Sequence, residues 1–160
     1  MTAPRSSKPP SRVEINWAGG GRFDAGRAER PPIRIDCSGQ TGPGPVDTLM
    51  SALGACTGED VLGYLNKRRT PVRALRIEAE GVRANAVPAR VVNASLIYYI
   101  DGDDIDPDHA HRAVELAVTK YCSVRDTLDP DLPISIRVVV NGVTRADADG
   151  NERTRAPASG

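Results

Sequence analysis

Three cysteines carry the reactive chemistry that this sequence could support: Cys37, Cys56 and Cys122. Their number is odd and no two of them have the CxxC spacing, which disfavours the disulfide scaffold of a secreted protein. In a reducing compartment, thiols this sparse are either buried packing residues or members of a redox-active pair. Both interpretations remain open for each cysteine at this point.

The local sequence favours reactivity at two of the three cysteines. The residues on both sides of Cys56, at positions 54, 55, 57 and 58, are all Gly, Ala or Thr, so a small molecule or a second chain could reach its sulfur. Cys122 directly precedes Ser123, which with Asp126 is typical of a capping box that begins a short helix. Unpaired N–H groups at a helix start stabilise a thiolate, so this position predicts a lowered pKa for Cys122.

Cys37 and the two histidines are weaker candidates. Cys37 continues the alternation of Ile33 and Ile35 along a predicted strand, which predicts a buried packing residue. His109 and His111 share a predicted helix face with acidic and polar residues, and we interpret both as solvated. Scattered cysteines and a single HxH match no zinc-binding spacing, so we expect no metal site.

The elements that must position these residues follow from the hydrophobic periodicity. Alternation with period two predicts strands, and apolar residues at helical spacing predict helices, one beginning at Pro45 and one at Pro107 with Asp106 as its N-cap. The order βββ-α-ββ-α-β predicts an α+β domain with helices packed on antiparallel sheet. The predicted ranges are strands at 13–17, 23–25, 33–37, 72–83, 89–100 and 134–143, and helices at 45–69 and 107–121.

Three glycines interrupt the first predicted helix, at positions 54, 58 and 63. A glycine inside a helix costs roughly 1 kcal/mol relative to alanine. Their recurrence predicts that another backbone or a partner helix approaches closely on this side.

Composition excludes several classes of protein. The chain has 160 residues, and 21 Lys and Arg balance 21 Asp and Glu, whereas a protein that coats nucleic acid or an anionic membrane needs excess positive charge. No apolar run reaches the roughly 18 residues of a membrane span, and the basic amino terminus lacks the apolar run of a secretory signal. We therefore expect a cytoplasmic protein with one domain at 12–143 between disordered tails at 1–11 and 144–160.

Two segments resemble the signatures of a known family. GPGPVDTLMSALGACTGEDVL resembles the central-helix motif of the osmotically inducible protein C (OsmC) and organic hydroperoxide resistance family, and KYCSVRDTL resembles its second signature. The residues of the two motifs are more similar to those of an OsmC-like subgroup than to those of the hydroperoxide-resistance branch. The resemblance covers residues 12–143.

The resemblance implies a fold, an assembly and an activity. The fold is OsmC-like and forms an interlocked homodimer, with active sites built from both chains. The activity is that of a thiol-dependent peroxidase that reduces organic hydroperoxides in oxidative stress defence. By resemblance Cys56 is the peroxidatic cysteine and Cys122 the resolving cysteine, and the glycines of the first helix would pack central helices together.

Arg22 and Asp47 complete the catalytic set that the resemblance implies, by holding the thiolate and polarising the peroxide. Asp47 stands where the family motif has Glu. Arg22 follows glycines in an early strand turn, and Arg27, Arg30 or Arg34 could take its place.

The resemblance implies no prosthetic cofactor or metal, because electrons would come from an external dithiol such as a lipoylated protein or from another thiol donor. Neither nucleic acid nor membrane is an implied partner. A second hypothesis is a non-catalytic protein that binds a hydrophobic ligand in the dimer cleft.

Overall fold

The computed structural model describes residues 8–144 of the chain. The chain divides into two compact units, the first ending at Ser51 and the second beginning at Ala52. Most of each predicted tail, residues 1–7 and 145–160, lies outside the described residues, and the proposed domain limits stay a prediction. The sequence predicts that Thr144 belongs to the second tail, but this residue lies in a short strand.

The elements follow the predicted order βββ-α-ββ-α-β, the short helix predicted after the second long helix is present, and one two-residue strand is added at the end. A π-helical turn, Ala117–Tyr121, continues the second long helix. The elements are β1 Glu14–Trp17, β2 Arg22–Gly26, β3 Ile33–Asp36, α1 Pro45–Lys67, β4 Val72–Arg83, β5 Val91–Gly102, α2 Pro107–Leu116, α3 Ser123–Thr127, β6 Ile134–Val140 and β7 Val143–Thr144. None of the helices within residues 8–144 is long and apolar enough to cross a membrane.

The first unit contains an antiparallel sheet in the order β1-β2-β3. Alternation places the apolar side chains of β1 and β3 on the same face, because Ile15 and Ile33 both pair with Ala25. On the isolated chain this face is uncovered: Ile15 is 61% exposed, Trp17 71% and Ile33 55%. An apolar sheet face of this kind requires a covering surface.

The loop that follows β3 is organised by a buried carboxylate. Asp36 is 1% exposed and accepts four hydrogen bonds of 2.7–3.0 Å, from the backbone N–H and hydroxyl of both Ser38 and Thr41. These bonds hold the pKa of Asp36 well below its usual range.

The prediction that Cys37 is buried is wrong. Cys37 is exposed, because β3 ends at Asp36 and the alternation of that strand does not continue beyond it. The inward position at the end of β3 is taken by the hydrogen-bonded Asp36 carboxylate, which alternation alone does not predict.

The second unit contains a sheet in the order β4-β5-β6-β7. β4 and β5 form a long antiparallel pair, but β5 and β6 run parallel, with Tyr98 opposite Val138. The prediction of purely antiparallel sheet is wrong for this pair. β5 and β6 are joined by a crossover through α2 rather than by a hairpin, and such a connection produces parallel strands.

α2 begins as predicted. Asp106 is its N-cap and accepts from the backbone N–H groups of Asp108 and His109 at 2.8 and 3.0 Å, and Pro107 occupies the first helical position. The apolar stripe of α2 and the π-helical turn is buried except at its last member, Tyr121, which is 54% exposed. The other members are Ala110, Ala113, Val114, Ala117 and Val118.

Two of the three helix glycines make room for the sheet. A Cβ added at Gly58 would lie 2.9 Å from Ile77 Cδ1, and one added at Gly54 would lie 3.6 Å from Ile77 Cγ2. Within the described chain, the close approach at Gly54 and Gly58 is made by the Ile77 side chain of β4, and the approach of a partner helix stays a prediction. A Cβ at Gly63 would have no neighbour within 4 Å in the described chain.

The first testable prediction concerns the Asp36 carboxylate. Asp36→Asn should lower the midpoint of thermal unfolding by several degrees at pH 7, because Ser38 and Thr41 lose charge-assisted bonds. The folded-state pKa lies below the unfolded value of about 3.9, so this stabilisation is complete above about pH 5 and is lost as the pH falls toward the folded pKa.

Circular dichroism at pH 7 and pH 3 tests this prediction. The difference between wild type and Asp36→Asn should shrink at pH 3. The control is Asp103→Asn, which removes a carboxylate whose side chain is 88% exposed and should change little at either pH. Equal midpoints for wild type and Asp36→Asn at pH 7 would contradict the assignment.

Candidate active site

Cys56 lies on α1 and is half-buried. Its neighbour Thr57 is completely buried and fixes this part of the helix. The Tyr98 hydroxyl on β5 donates to Thr57 Oγ1 at 2.7 Å, and Thr57 Oγ1 is also 2.9 Å from the Leu53 carbonyl and 3.1 Å from that of Gly54. A buried bond of this kind contributes about 1 kcal/mol and fixes the helix against the strand next to Cys56.

Sequence reasoning missed both Thr57 and Tyr98 as parts of this site. Tyr98 alternates with Leu96 and Ile100 along β5, so its inward position could have been predicted. A buried tyrosine needs a partner for its hydroxyl, which is the signal that points to a polar residue on the facing helix. Burial raises the pKa of Tyr98 to about 12, so its hydroxyl keeps its proton at neutral pH.

Cys122 lies where the π-helical turn ends. Its backbone N–H donates to the Ala117 carbonyl at 3.0 Å, the five-residue spacing of a π-helix, and its backbone then becomes extended. Cys122 is the N-cap of α3, and its sulfur accepts from the Arg125 N–H at 3.3 Å. The prediction that Ser123 caps this helix is wrong by one residue, since Ser123 is the first residue of α3.

The fold brings Cys56 and Cys122 together. Cys122 is 2% exposed. Burial, and after it the adjacent Cys56 thiol, raise the pKa of the Cys122 thiol to about 11, although the Arg125 N–H acts to lower it. The prediction of a lowered pKa for Cys122 is therefore wrong, because burial outweighs the helix start. The Cys122 thiol keeps its proton at neutral pH, whereas Cys56 is the more accessible of the two sulfurs.

Arg22 and Asp47 both lie in the first unit and are both exposed. Arg22 Nε donates to the Gly19 carbonyl at 3.1 Å within the turn between β1 and β2. Asp47 Oδ2 accepts from the Gly44 N–H at 3.0 Å and so caps the start of α1. Their catalytic roles stay predictions.

Arg34, one of the three alternatives to Arg22, has a side chain that is already paired with a carboxylate. Its guanidinium forms a two-point ion pair with Asp24, at 2.5 and 3.1 Å. Such a planar pair holds the guanidinium in place on the sheet.

His109 is half-buried, with its Nε2 2.7 Å from Arg68 Nη2, so the interpretation of this residue as solvated is only partly correct. Within residues 8–144, no group of three or more His, Cys, Asp or Glu side chains could hold a metal ion.

This chain is similar to known proteins in both sequence and fold. Residues 38–137 match the family model described as OsmC-like protein. Protein YhfA of Escherichia coli strain K12 is 28% identical over 125 residues, which cover 78% of this chain and 93% of YhfA.

Two solved structures illustrate the likeness of the fold. A hypothetical protein from Aquifex aeolicus VF5 has a TM-score of 0.74 and 24% identity, over 84% of this chain and 98% of that one. The organic hydroperoxide resistance protein OhrB of Bacillus subtilis has a TM-score of 0.55 and 15% identity, over 79% of this chain and 96% of OhrB.

Proposed function

This chain belongs to the OsmC-like protein family, and from that premise we propose that it is a thiol-dependent peroxidase that reduces organic hydroperoxides. The observation that carries the proposal is the meeting of Cys56 on α1 with Cys122 at the end of the π-helical turn. The name of the B. subtilis protein, which shares the fold, supports hydroperoxides as the substrate class.

The reaction begins at Cys56, because it is the more accessible sulfur and Cys122 is held as a thiol. The Cys56 thiolate attacks the terminal oxygen of the hydroperoxide. An S–O bond forms, the O–O bond breaks, and the alkoxide takes a proton to leave as an alcohol. Cys56 is then a sulfenic acid.

Cys122 completes the oxidative half of the cycle. Its sulfur attacks the sulfenic sulfur of Cys56, losing its proton as the S–O bond breaks, and water leaves. The product is a Cys56–Cys122 disulfide. Its raised pKa suits Cys122 to this second role, because a protonated thiol does not compete for peroxide.

Arg22 and Asp47 are proposed to assist this chemistry. A guanidinium placed beside the sulfur would stabilise the thiolate and the departing alkoxide, and the carboxylate would orient the guanidinium. Asp47 is one methylene shorter than the glutamate of the family motif, so we propose the same role with a shorter reach.

A homodimer is proposed as the working form. The uncovered apolar face of the first sheet, with Ile15, Trp17 and Ile33, supports this, since a second copy would bury it. We propose that the protein acts in the cytoplasm, where reduced thiols are available as electron donors.

The second testable prediction separates the two cysteines, in a Cys37→Ser background that should retain full turnover. Cys56→Ser should abolish consumption of cumene hydroperoxide with dithiothreitol, because no sulfenic acid can form. Cys122→Ser should consume one equivalent and stop at a Cys56 sulfenic acid that dimedone labels.

Mass spectrometry of the labelled peptides shows which cysteine carries the dimedone label. A dimedone label on Cys122 in the Cys56→Ser protein, with none on Cys56 in the converse variant, would reverse the two roles. Folded wild type that consumes no hydroperoxide would favour the ligand-binding alternative.

The third prediction concerns Arg22 and Asp47. Arg22→Ala should slow oxidation of Cys56 by roughly 100-fold, the loss expected for one charged donor at a developing anion. Asp47→Asn keeps an acceptor for the Gly44 N–H but removes the charge, and should also slow oxidation. Stopped-flow fluorescence measures both rates, with Arg12→Ala, at an exposed arginine outside the candidate set, as the control that should leave the rate unchanged. An unchanged rate in Arg22→Ala would remove Arg22 from the mechanism.

The fourth prediction concerns assembly. Light scattering should give about twice the 17.1 kDa chain mass. Trp17→Glu should favour monomers, because it charges the uncovered face, whereas Asn16→Glu adds the same charge on the opposite face of β1 and should not. A folded wild-type monomer at micromolar concentration would contradict the dimer.

A further inference from the structure

A pocket of about 390 Å³ opens beside Cys122. Its wall is formed by the π-helical turn, α3, the loop after α3 and the start of β6. Cys122 is part of this wall and Cys56 is not. The lining residues are Val118, Thr119, Lys120, Cys122, Arg125, Asp126, Pro130 and Ile134.

The pocket has a fixed frame. The Arg125 guanidinium donates to three carbonyl oxygens, those of Asp129, Pro130 and Leu132, at 3.1, 3.1 and 3.3 Å. Its own backbone N–H donates to Cys122 Sγ at 3.3 Å. One residue therefore holds both the loop that forms one side of the pocket and the sulfur in its wall.

The charges of the pocket favour an anion over a cation. Lys120 and Arg125 contribute two positive charges, and Asp126 contributes one negative charge. Positive charge near an entering thiol favours its thiolate, which is the form that attacks a disulfide.

We propose that this pocket admits the small thiol or dithiol that reduces the oxidised enzyme, and that this thiol attacks Cys122 Sγ rather than Cys56 Sγ. The inference rests on the proposed function for the Cys56–Cys122 disulfide that it consumes. It adds a second entrance to the site: hydroperoxide reaches Cys56, and reductant reaches Cys122.

Reduction of the Cys56–Cys122 disulfide takes two successive thiol–disulfide exchanges. The entering thiolate forms a bond to Cys122 Sγ, the Cys56–Cys122 bond breaks, and the electron pair of that bond leaves on Cys56 as a thiolate. The second thiol of the dithiol loses its proton and attacks the sulfur bound to Cys122. The reductant leaves as a cyclic disulfide, and Cys122 takes up a proton.

The chemistry of the leaving group supports attack on Cys122 Sγ, with Cys56 as the leaving thiolate. A thiol with a high pKa is a poor leaving group in thiol–disulfide exchange. The pKa of Cys122 is raised by burial, so an exchange that expels Cys122 as a thiolate is disfavoured in its first step. Attack on Cys122 avoids that step.

Mapping of the trapped adduct tests which sulfur is attacked. The Cys37→Ser protein is oxidised with diamide, which needs no hydroperoxide, and is treated briefly with 2-mercaptoethanol. N-ethylmaleimide then blocks free thiols before peptide mass spectrometry. We expect 2-mercaptoethanol on Cys122 and N-ethylmaleimide on Cys56; the reverse pattern overturns the proposal.

A matched pair of variants tests the pocket. Thr119 lines it and Thr127 does not; both are exposed, and each hydroxyl donates to the carbonyl of the residue four positions earlier, at 2.7 Å. Thr119→Trp should slow reduction of the disulfide by dithiothreitol about tenfold or more, since exchange depends on access. Thr127→Trp should reduce at the wild-type rate.

Oxidation provides the internal control for folding. Disulfide formation in Thr119→Trp should proceed at the wild-type rate, because Cys56 is not part of the pocket wall. A wild-type reduction rate in Thr119→Trp overturns the pocket as the entrance.

The outcomes also distinguish this inference from the function on which it rests. If diamide fails to join Cys56 and Cys122, the proposed function and the inference both fail. If the disulfide forms and the adduct lies on Cys56, only the inference fails.

Discussion

The close packing of α1 on the four-stranded sheet is the contact on which the candidate active site depends. Gly58 permits it, because a Cβ at that position would lie 2.9 Å from Ile77 Cδ1 on β4. The buried bond between Tyr98 and Thr57 then fixes the helix to β5 at 2.7 Å. Cys56 directly precedes Thr57 and Gly58 in the sequence and is thereby held beside Cys122.

Burial gives two chemically identical thiols different properties. Cys122 is enclosed at the end of the π-helical turn, and its pKa is raised to about 11, although its sulfur also accepts an N–H. Cys56 remains accessible on a helix whose neighbouring residues are small. In the proposed mechanism, this difference assigns the first chemical step to Cys56 and the second to Cys122, without a histidine to act as base.

Much of the fold could be predicted from the sequence, because strong patterns match the element boundaries. β4 spans the predicted 72–83, and Asp106 and Pro107 begin α2 as expected. One error arises from a crossover connection, which makes β5 and β6 parallel, and another arises where a pattern meets a local polar interaction. Alternation predicted a buried Cys37, but Asp36 ends its strand with four hydrogen bonds that periodicity does not register.

The site could be predicted in part. The two cysteines were identified by motif, but the pKa of Cys122 was not, because burial depends on how the π-helical turn ends. Serine is a preferred N-cap residue, so the sequence predicts Ser123 as the cap of α3. The helix is instead capped one residue earlier, by the sulfur of Cys122. Tyr98 and Thr57 lie far apart in the sequence, and only the packing of α1 against β5 reveals their contact.

The most direct measurement is the mass of the protein after one equivalent of cumene hydroperoxide. The proposed mechanism predicts that the Cys37→Ser protein loses two hydrogens per chain, and that a single peptide pair linked through Cys56 and Cys122 appears on non-reducing digestion. A gain of oxygen atoms with no linked pair, or no change in mass in folded protein, would contradict this mechanism.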